Sequence, residues 1–234
     1  MAATVEIDEA NDAQKSTGTN TTVTANKLTD SAANFTAEGV DVGDEVWNST
    51  DNLFAFVTAV DSATVLSLSA DIFNSTEAYI IQGEFTHNIT DTDMGSVDDP
   101  NLDPVANPVI PDANTFEKYQ KVHITAMGGS SLIDNLKVWR TSALGGAAVH
   151  VTNARETSYD RKEYVAPTAS DSTVATQTMP TSEPSGANLG IDGSLAGSRS
   201  AAGYSDFLVH QIQTNVADVA GSTSTMNYQY DETA

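Results

Sequence analysis

The chain has 234 residues, no cysteine and a formal net charge of −22. Without thiols, disulfides, thiolate metal sites and cysteine nucleophiles are excluded, and stability must come from burial and strand pairing. A field this negative repels phosphate backbones, which argues against direct nucleic-acid binding. The opening MAATVEIDEAND is acidic and has no apolar stretch of the signal-peptide kind. No window approaches the roughly 18 apolar residues of a membrane helix, so no membrane partner is expected. The charge is uneven: residues 1–114 carry 20 acids against Lys15 and Lys27, a net of −18, and residues 115–234 a net of −4. That asymmetry suits solubility at high copy number, a saline habitat, or an acidic face that docks on a basic partner.

Residues 1–26 are polar, Thr/Asn-rich and without period, which predicts an arm, with Thr21–Thr24 able to pair as an edge strand. Residues 27–83 predict a small β domain. Val46-Trp47, Leu53–Val60, Val65–Leu68 and Tyr79–Ile81 are strand-length apolar runs, broken by Gly39, Gly43, Asp51-Asn52 and Asp61-Ser62. Leu53–Val60 is apolar on both faces, the mark of a strand covered on both sides, and Trp47 belongs in the core. Residues 84–115 predict a strand followed by a long connection in which Pro100, Pro104, Pro108 and Pro111 forbid regular helix or central strand.

Residues 116–234 predict a β-sandwich or jelly roll. Val122, Ile124 and Ala126 alternate with His123 and Thr125, and Gly128-Gly129-Ser130-Ser131 reads as a hairpin turn. Strands follow at Leu132–Thr141 and Ala147–Asn153. The Pro/Ser/Gly-rich residues 165–203 read as a long loop, either disordered or, in a particle component, packed on neighbouring subunits. A closing hairpin is expected from Tyr204–Val216 and Ser224–Asp231, with Met226, Tyr228 and Tyr230 on one face. Ser and Thr together number 51, and no long stretch holds a 3.6-residue period. The fold class is therefore all-β: a small barrel-like unit followed by a sandwich with long loops.

Chemistry is sparse at this level. Asp91, Asp93, Asp98, Asp99 and Asp103 are weak Ca²⁺ candidates. Gly95 falls one position early for an EF-hand loop and no Glu follows at position twelve, so a solvated acidic loop is the better reading. His87, His123, His150 and His210 are dispersed with no H-x-x-x-H or H-x-H spacing, which argues against zinc and reads as strand histidines facing solvent or bonded to backbone. There is no G-x-S-x-G, no glycine-rich phosphate loop and no basic stripe. The expectation is a protein without catalytic residues or cofactor.

The run LTDSAANFTAEGVDVGDEVWNSTDNLFAFVTAVDSATVLSLSADIF, Leu28 to Phe73, resembles a module of tailed-bacteriophage virion structural proteins. Its cadence there is L-x-D-x-x-A-x-F, G-V-x-V-G-D-x-V-x-N-x-T-D and V-T-A-V-D-S. It spans about a fifth of the chain. NTFEKYQKVHITAMGGSSLIDNLKVWRT, PTSEPSGANLGIDGSLAG, GYSDFLVHQIQT and YQYDE resemble a companion domain of the same class. The resemblance implies a virion component assembled in a bacterial cytoplasm. Its expected partners are itself, as a homo-oligomer such as a trimer, and either the major capsid protein or tail, neck or baseplate proteins. The favoured station is a capsid decoration (cement) protein, and a receptor- or glycan-binding β-sandwich is the reading from another class.

Overall fold

The computed structural model describes residues 2–10, 14–51, 53–97, 102–154, 176–191, 194–218 and 221–234. All regular structure among them is β, arranged as antiparallel sheets. The chain divides into two compact units, Ala10–Thr86 and Met1–Glu9 with His87–Ala234. The first strand, β1 (Thr4–Glu9), therefore belongs to the larger unit.

The smaller unit holds β2 (Gln14–Thr19), β3 (Lys27–Thr29), β4 (Glu45–Asn48), β5 (Leu53–Ser62), β6 (Val65–Leu68) and β7 (Ala78–Gln82). They form one sheet in the order β2-β7-β4-β5-β6-β3. Two register breaks in β5, at Val57/Ala59 and Val60/Ser62, add twist, and the sheet curls into a half-barrel. Alternation sends Val46, Ala55, Val57, Tyr79 and Ile81 into the hollow, where Leu28, Leu66, Phe35 and Phe73 complete the core. Trp47, opposite Phe54 and Ile80 on the other face, is buried as expected. Two buried polar side chains brace this core. The Tyr79 hydroxyl donates to Asp30 Oδ2 at 2.8 Å, and Asn48 Nδ2 donates to the Ile72 carbonyl at 2.6 Å and to Glu77 Oε2 at 2.9 Å.

The larger unit is a sandwich. One sheet runs β1-β8-β14-β10-β11, from β8 (Lys118–Ala126), β10 (Val149–Ala154), β11 (Gln177–Thr178) and β14 (Leu208–Gln213), with β13 (Gly203–Tyr204) also pairing β8. The other is β12-β9-β15, from β9 (Leu132–Arg140), β12 (Ser198–Arg199) and β15 (Met226–Thr233). Val122, Ile124 and Leu208 of the first sheet meet Ile133, Leu136 and Val138 of the second. The odd spacing of Ile133 and Leu136 is absorbed at Asn135, whose φ of 53° sits beside the register break at Gln229/Asp231.

Several expectations change. Residues 1–26 are not a free arm, since they supply β1 and β2, while Thr21–Thr24 forms no strand. Thr4–Glu9 alternates apolar Val5 and Ile7 with acids, a strand pattern that the polar composition around it masks. No strand begins at Glu84; β7 ends at Gln82. The Gly128–Ser131 turn joins β8 to β9 in the opposite sheet, so it is an arch between layers rather than a hairpin. β14 and β15 likewise lie in different sheets, which removes the closing hairpin. The described part of the 165–203 loop buries Met179, Leu189 and Ile191 in its own unit's core; residues 165–175, 192 and 193 lie outside the described residues.

Candidate functional site

Strand alternation gives the β1-β8-β14-β10 sheet two chemically different faces. Val5, Ile7 and Glu9 on β1 and Lys118, Gln120 and Val122 on β8 point inward; Glu6 and Asp8 point outward with Lys121 and His123. Each face gathers two histidines.

On the outer face, Glu6 sits directly opposite His123 in the ladder. His123 Nδ1 lies 3.0 Å from Glu6 Oε1 and 2.9 Å from Asp8 Oδ2. His87 reaches the same oxygen, its Nδ1 2.8 Å from Asp8 Oδ2. The segment carrying His87 runs beside β1, with Ile89 N donating to the Ile7 carbonyl at 2.9 Å. Asn88, at φ 51°, takes the left-handed conformation that asparagine tolerates, and its N–H donates to Asp8 Oδ1 at 3.0 Å. Asp8 is fully buried, while the His87 side chain is 45% exposed. The His123 ring stacks on Tyr204, centroids 4.0 Å apart and planes 12° apart, which fixes its orientation. Lys121, beside His123 on this face, holds its ammonium 4.0 Å over the Phe207 ring.

On the inner face, Lys118 Nζ pairs with Glu9 Oε1 at 3.1 Å, both side chains almost fully buried. Gln120 Nε2 donates to Glu9 Oε2 at 2.9 Å and to Thr92 Oγ1 at 2.7 Å, and its Oε1 accepts from the Tyr228 hydroxyl at 3.0 Å. Burial, then the Glu9 charge, pushes the Tyr228 hydroxyl far above its ordinary range. His150 Nε2 and His210 Nδ1 share a hydrogen bond of 2.9 Å, and His210 Nε2 has no partner. Burial, then the Arg140 charge, lowers His150 to about 4; burial, then His150, holds His210 well below 6.5. Both are neutral at pH 7. They line a cavity of about 720 Å³ whose wall also carries Asp91, Asp93, Gln120 and Tyr228. That volume is in the range of small-molecule sites, and neutral imidazoles there offer hydrogen bonds to a polar guest.

Among the described residues, the Ca²⁺ candidates Asp91, Asp93 and Asp103 do not converge with other ligand-type side chains. Asp91 and Asp93 are on the cavity wall, and Asp103 Oδ1 accepts from Val105 N and Ala106 N, so it serves as a turn cap. Asp98 and Asp99 lie outside the described residues. Among the described residues, three or more ligand-type side chains converge only at Glu6, Asp8, His87 and His123. The histidines divide otherwise than expected: His87 does face solvent, but it and His123 also bond to carboxylates, and His150 and His210 bond to each other. Linear spacing cannot reveal these groupings, because they arise from the β1–β8 and β10–β14 registers. The one usable signal was the E-x-D alternation in β1.

Comparison with protein families, with curated proteins and with solved structures finds no match to this chain.

Proposed function

We propose that the protein is a structural component of a tailed-bacteriophage particle, with the capsid exterior as its station, where it acts as a decoration protein on the major capsid protein. One observation carries the reading. The residues through which the chain resembles virion modules are those that make its cores and turns. In the smaller unit Leu28, Phe35, Val40 and Val46 are buried apolar residues and Asp30 and Asn48 are buried hydrogen-bonding centres. Gly39 and Gly43 take φ of 74° and 103°. In the larger unit Ile133, Leu136 and Val138 fill the core, and Ser205 of the GYSD run accepts the Val122 N–H at 2.9 Å. The resemblance thus falls on fold-determining positions, which is where a shared structural module leaves its mark.

The mechanism is reinforcement by non-covalent contacts. At roughly 25 cal/mol per Å² of apolar area, each ~1,000 Å² buried on neighbours gives about 25 kcal/mol gross, most of it offset by association and ordering costs. Repetition over many copies makes the remainder mechanically useful. Tail, neck or baseplate stations use the same contacts. The inner cavity, with its two neutral histidines and Tyr228, favours a second reading as a receptor- or glycan-binding sandwich. Cosedimentation with purified empty capsids, in parallel with adsorption to host cells and glycan arrays, separates the two. The proposal expects saturable binding to particles; adsorption to cells without particle affinity overturns it.

A further inference from the structure

The outer-face cluster has features that a set of surface ion pairs does not need. Four donor atoms, two imidazole nitrogens and two carboxylate oxygens, lie within 4.8 Å of one another. They come from three places in the chain: β1, the segment after β7, and β8. Hydrogen bonding alone serves them poorly, because His123 Nδ1 has one N–H to share between Glu6 at 3.0 Å and Asp8 at 2.9 Å. Asp8 Oδ2 in turn faces two rings. A single cation at their centre satisfies all four donors at once. Tetrahedral ligation with bonds of ~2.0–2.2 Å places donors about 3.3–3.6 Å apart, so the three contacts of 2.8–3.0 Å must open by roughly half an ångström while donor pairs farther apart, within the 4.8 Å limit, draw together.

We infer that Glu6, Asp8, His87 and His123 bind one divalent transition-metal ion of the zinc class. Two carboxylates balance the charge of the ion. Two imidazoles select against Ca²⁺ and Mg²⁺, which take oxygen ligands. Groups outside the ligand set hold two of the ligands in place: Asn88 N–H fixes the second oxygen of Asp8, and Tyr204 stacks on the His123 ring. The half-exposed His87 gives the ion an entry path. The ion's role is structural. It pins β1, an edge strand of its sheet, to β8 and to the chain where it re-enters the larger unit at His87. Ligands so far apart in sequence close long loops, where a crosslink removes the most chain entropy.

The test uses the full chain without a histidine tag, stripped by chelator and then exchanged into chelator-free buffer. Zn(II) is titrated by calorimetry and Co(II) by visible absorption, with Ca(II) and Mg(II) alongside. The expected result is one zinc per chain, cobalt ligand-field bands of tetrahedral intensity, and no comparable response to calcium or magnesium. At a zinc concentration ~100-fold above Kd the thermal midpoint should rise by roughly 5–10 °C. His87→Ala and His123→Ala should each weaken zinc binding by roughly 100-fold or more, while Asp91→Asn, on the cavity wall, leaves it unchanged. His87 is exposed enough that its variant reports even if the His123 variant fails to fold. Absence of stoichiometric binding at micromolar zinc, affinity unaltered in His87→Ala, or preference for calcium overturns the inference. None of these outcomes bears on particle binding, so the two proposals fail separately.

Discussion

The two histidine pairs occupy opposite faces of one sheet, and their surroundings give them opposite chemistry. His87 and His123 meet acids, each with its Nδ1 within 3.0 Å of a carboxylate oxygen. His150 and His210 meet each other in a buried place, beside the Arg140 charge, and burial keeps both neutral. The first environment suits a cation and the second an uncharged polar guest. Residue type fixed neither outcome; the side of the β8 ladder on which each partner falls decided both.

The sharpest way to break the contrast is to disturb the inner face at the Lys118–Glu9 ion pair. Glu9→Gln removes the carboxylate 3.1 Å from the Lys118 ammonium, which is 1% exposed, and perturbs the Gln120 hydrogen bond as well. Loss of one partner from a buried pair costs about 3–5 kcal/mol, the largest effect expected here. Denaturant unfolding reads it as a lower midpoint at unchanged slope. A loss below about 1 kcal/mol would mean that the Lys118 charge is compensated without Glu9.

Acid should act on the inner face next in size. A histidine whose folded pKa is depressed takes up its proton more readily in the unfolded chain, so stability falls as pH drops below the unfolded value near 6.5 and levels off below the folded value. For His150, folded near 4, the loss between pH 7 and pH 4.5 is on the order of 2–3 kcal/mol, and His210 acts in the same direction. Replacing both by leucine should flatten this part of the stability–pH curve. A double variant with an undiminished slope would place the acid sensitivity elsewhere.

Much of the architecture was legible in the sequence because period-2 alternation is local. Val122, Ile124 and Ala126 announce β8, and Leu53–Val60 announces a strand covered on both faces. Long-range pairing was not legible. β14 and β15 are neighbours in sequence yet join different sheets, because β15 finds its register against β9. The candidate site failed for the same reason. Glu6 and His123 become adjacent only once β1 docks on β8, and nothing in the spacing of residues 6, 8, 87 and 123 encodes that register. The acidic run at Asp91–Asp103 drew attention through density alone. Density of charge is the weaker signal, since Asp103 spends its carboxylate on a turn.

The smallest effect is the one that most sharpens the comparison. In chelator, His87→Ala removes a 45% exposed side chain and one contact with Asp8, while Asn88 N–H still holds the other oxygen of that carboxylate. Partly exposed pairs of this kind contribute about 0–1 kcal/mol, so the thermal midpoint of the metal-free variant should stay within a few degrees of the parent. In zinc the two proteins should separate, because only the parent gains the ion's binding energy. The same chelator and zinc conditions applied to His150→Leu should move parent and variant together, since that ring lies on the far face of the sheet. A zinc response that vanished with His150 and survived the loss of His87 would reverse the assignment of the two faces.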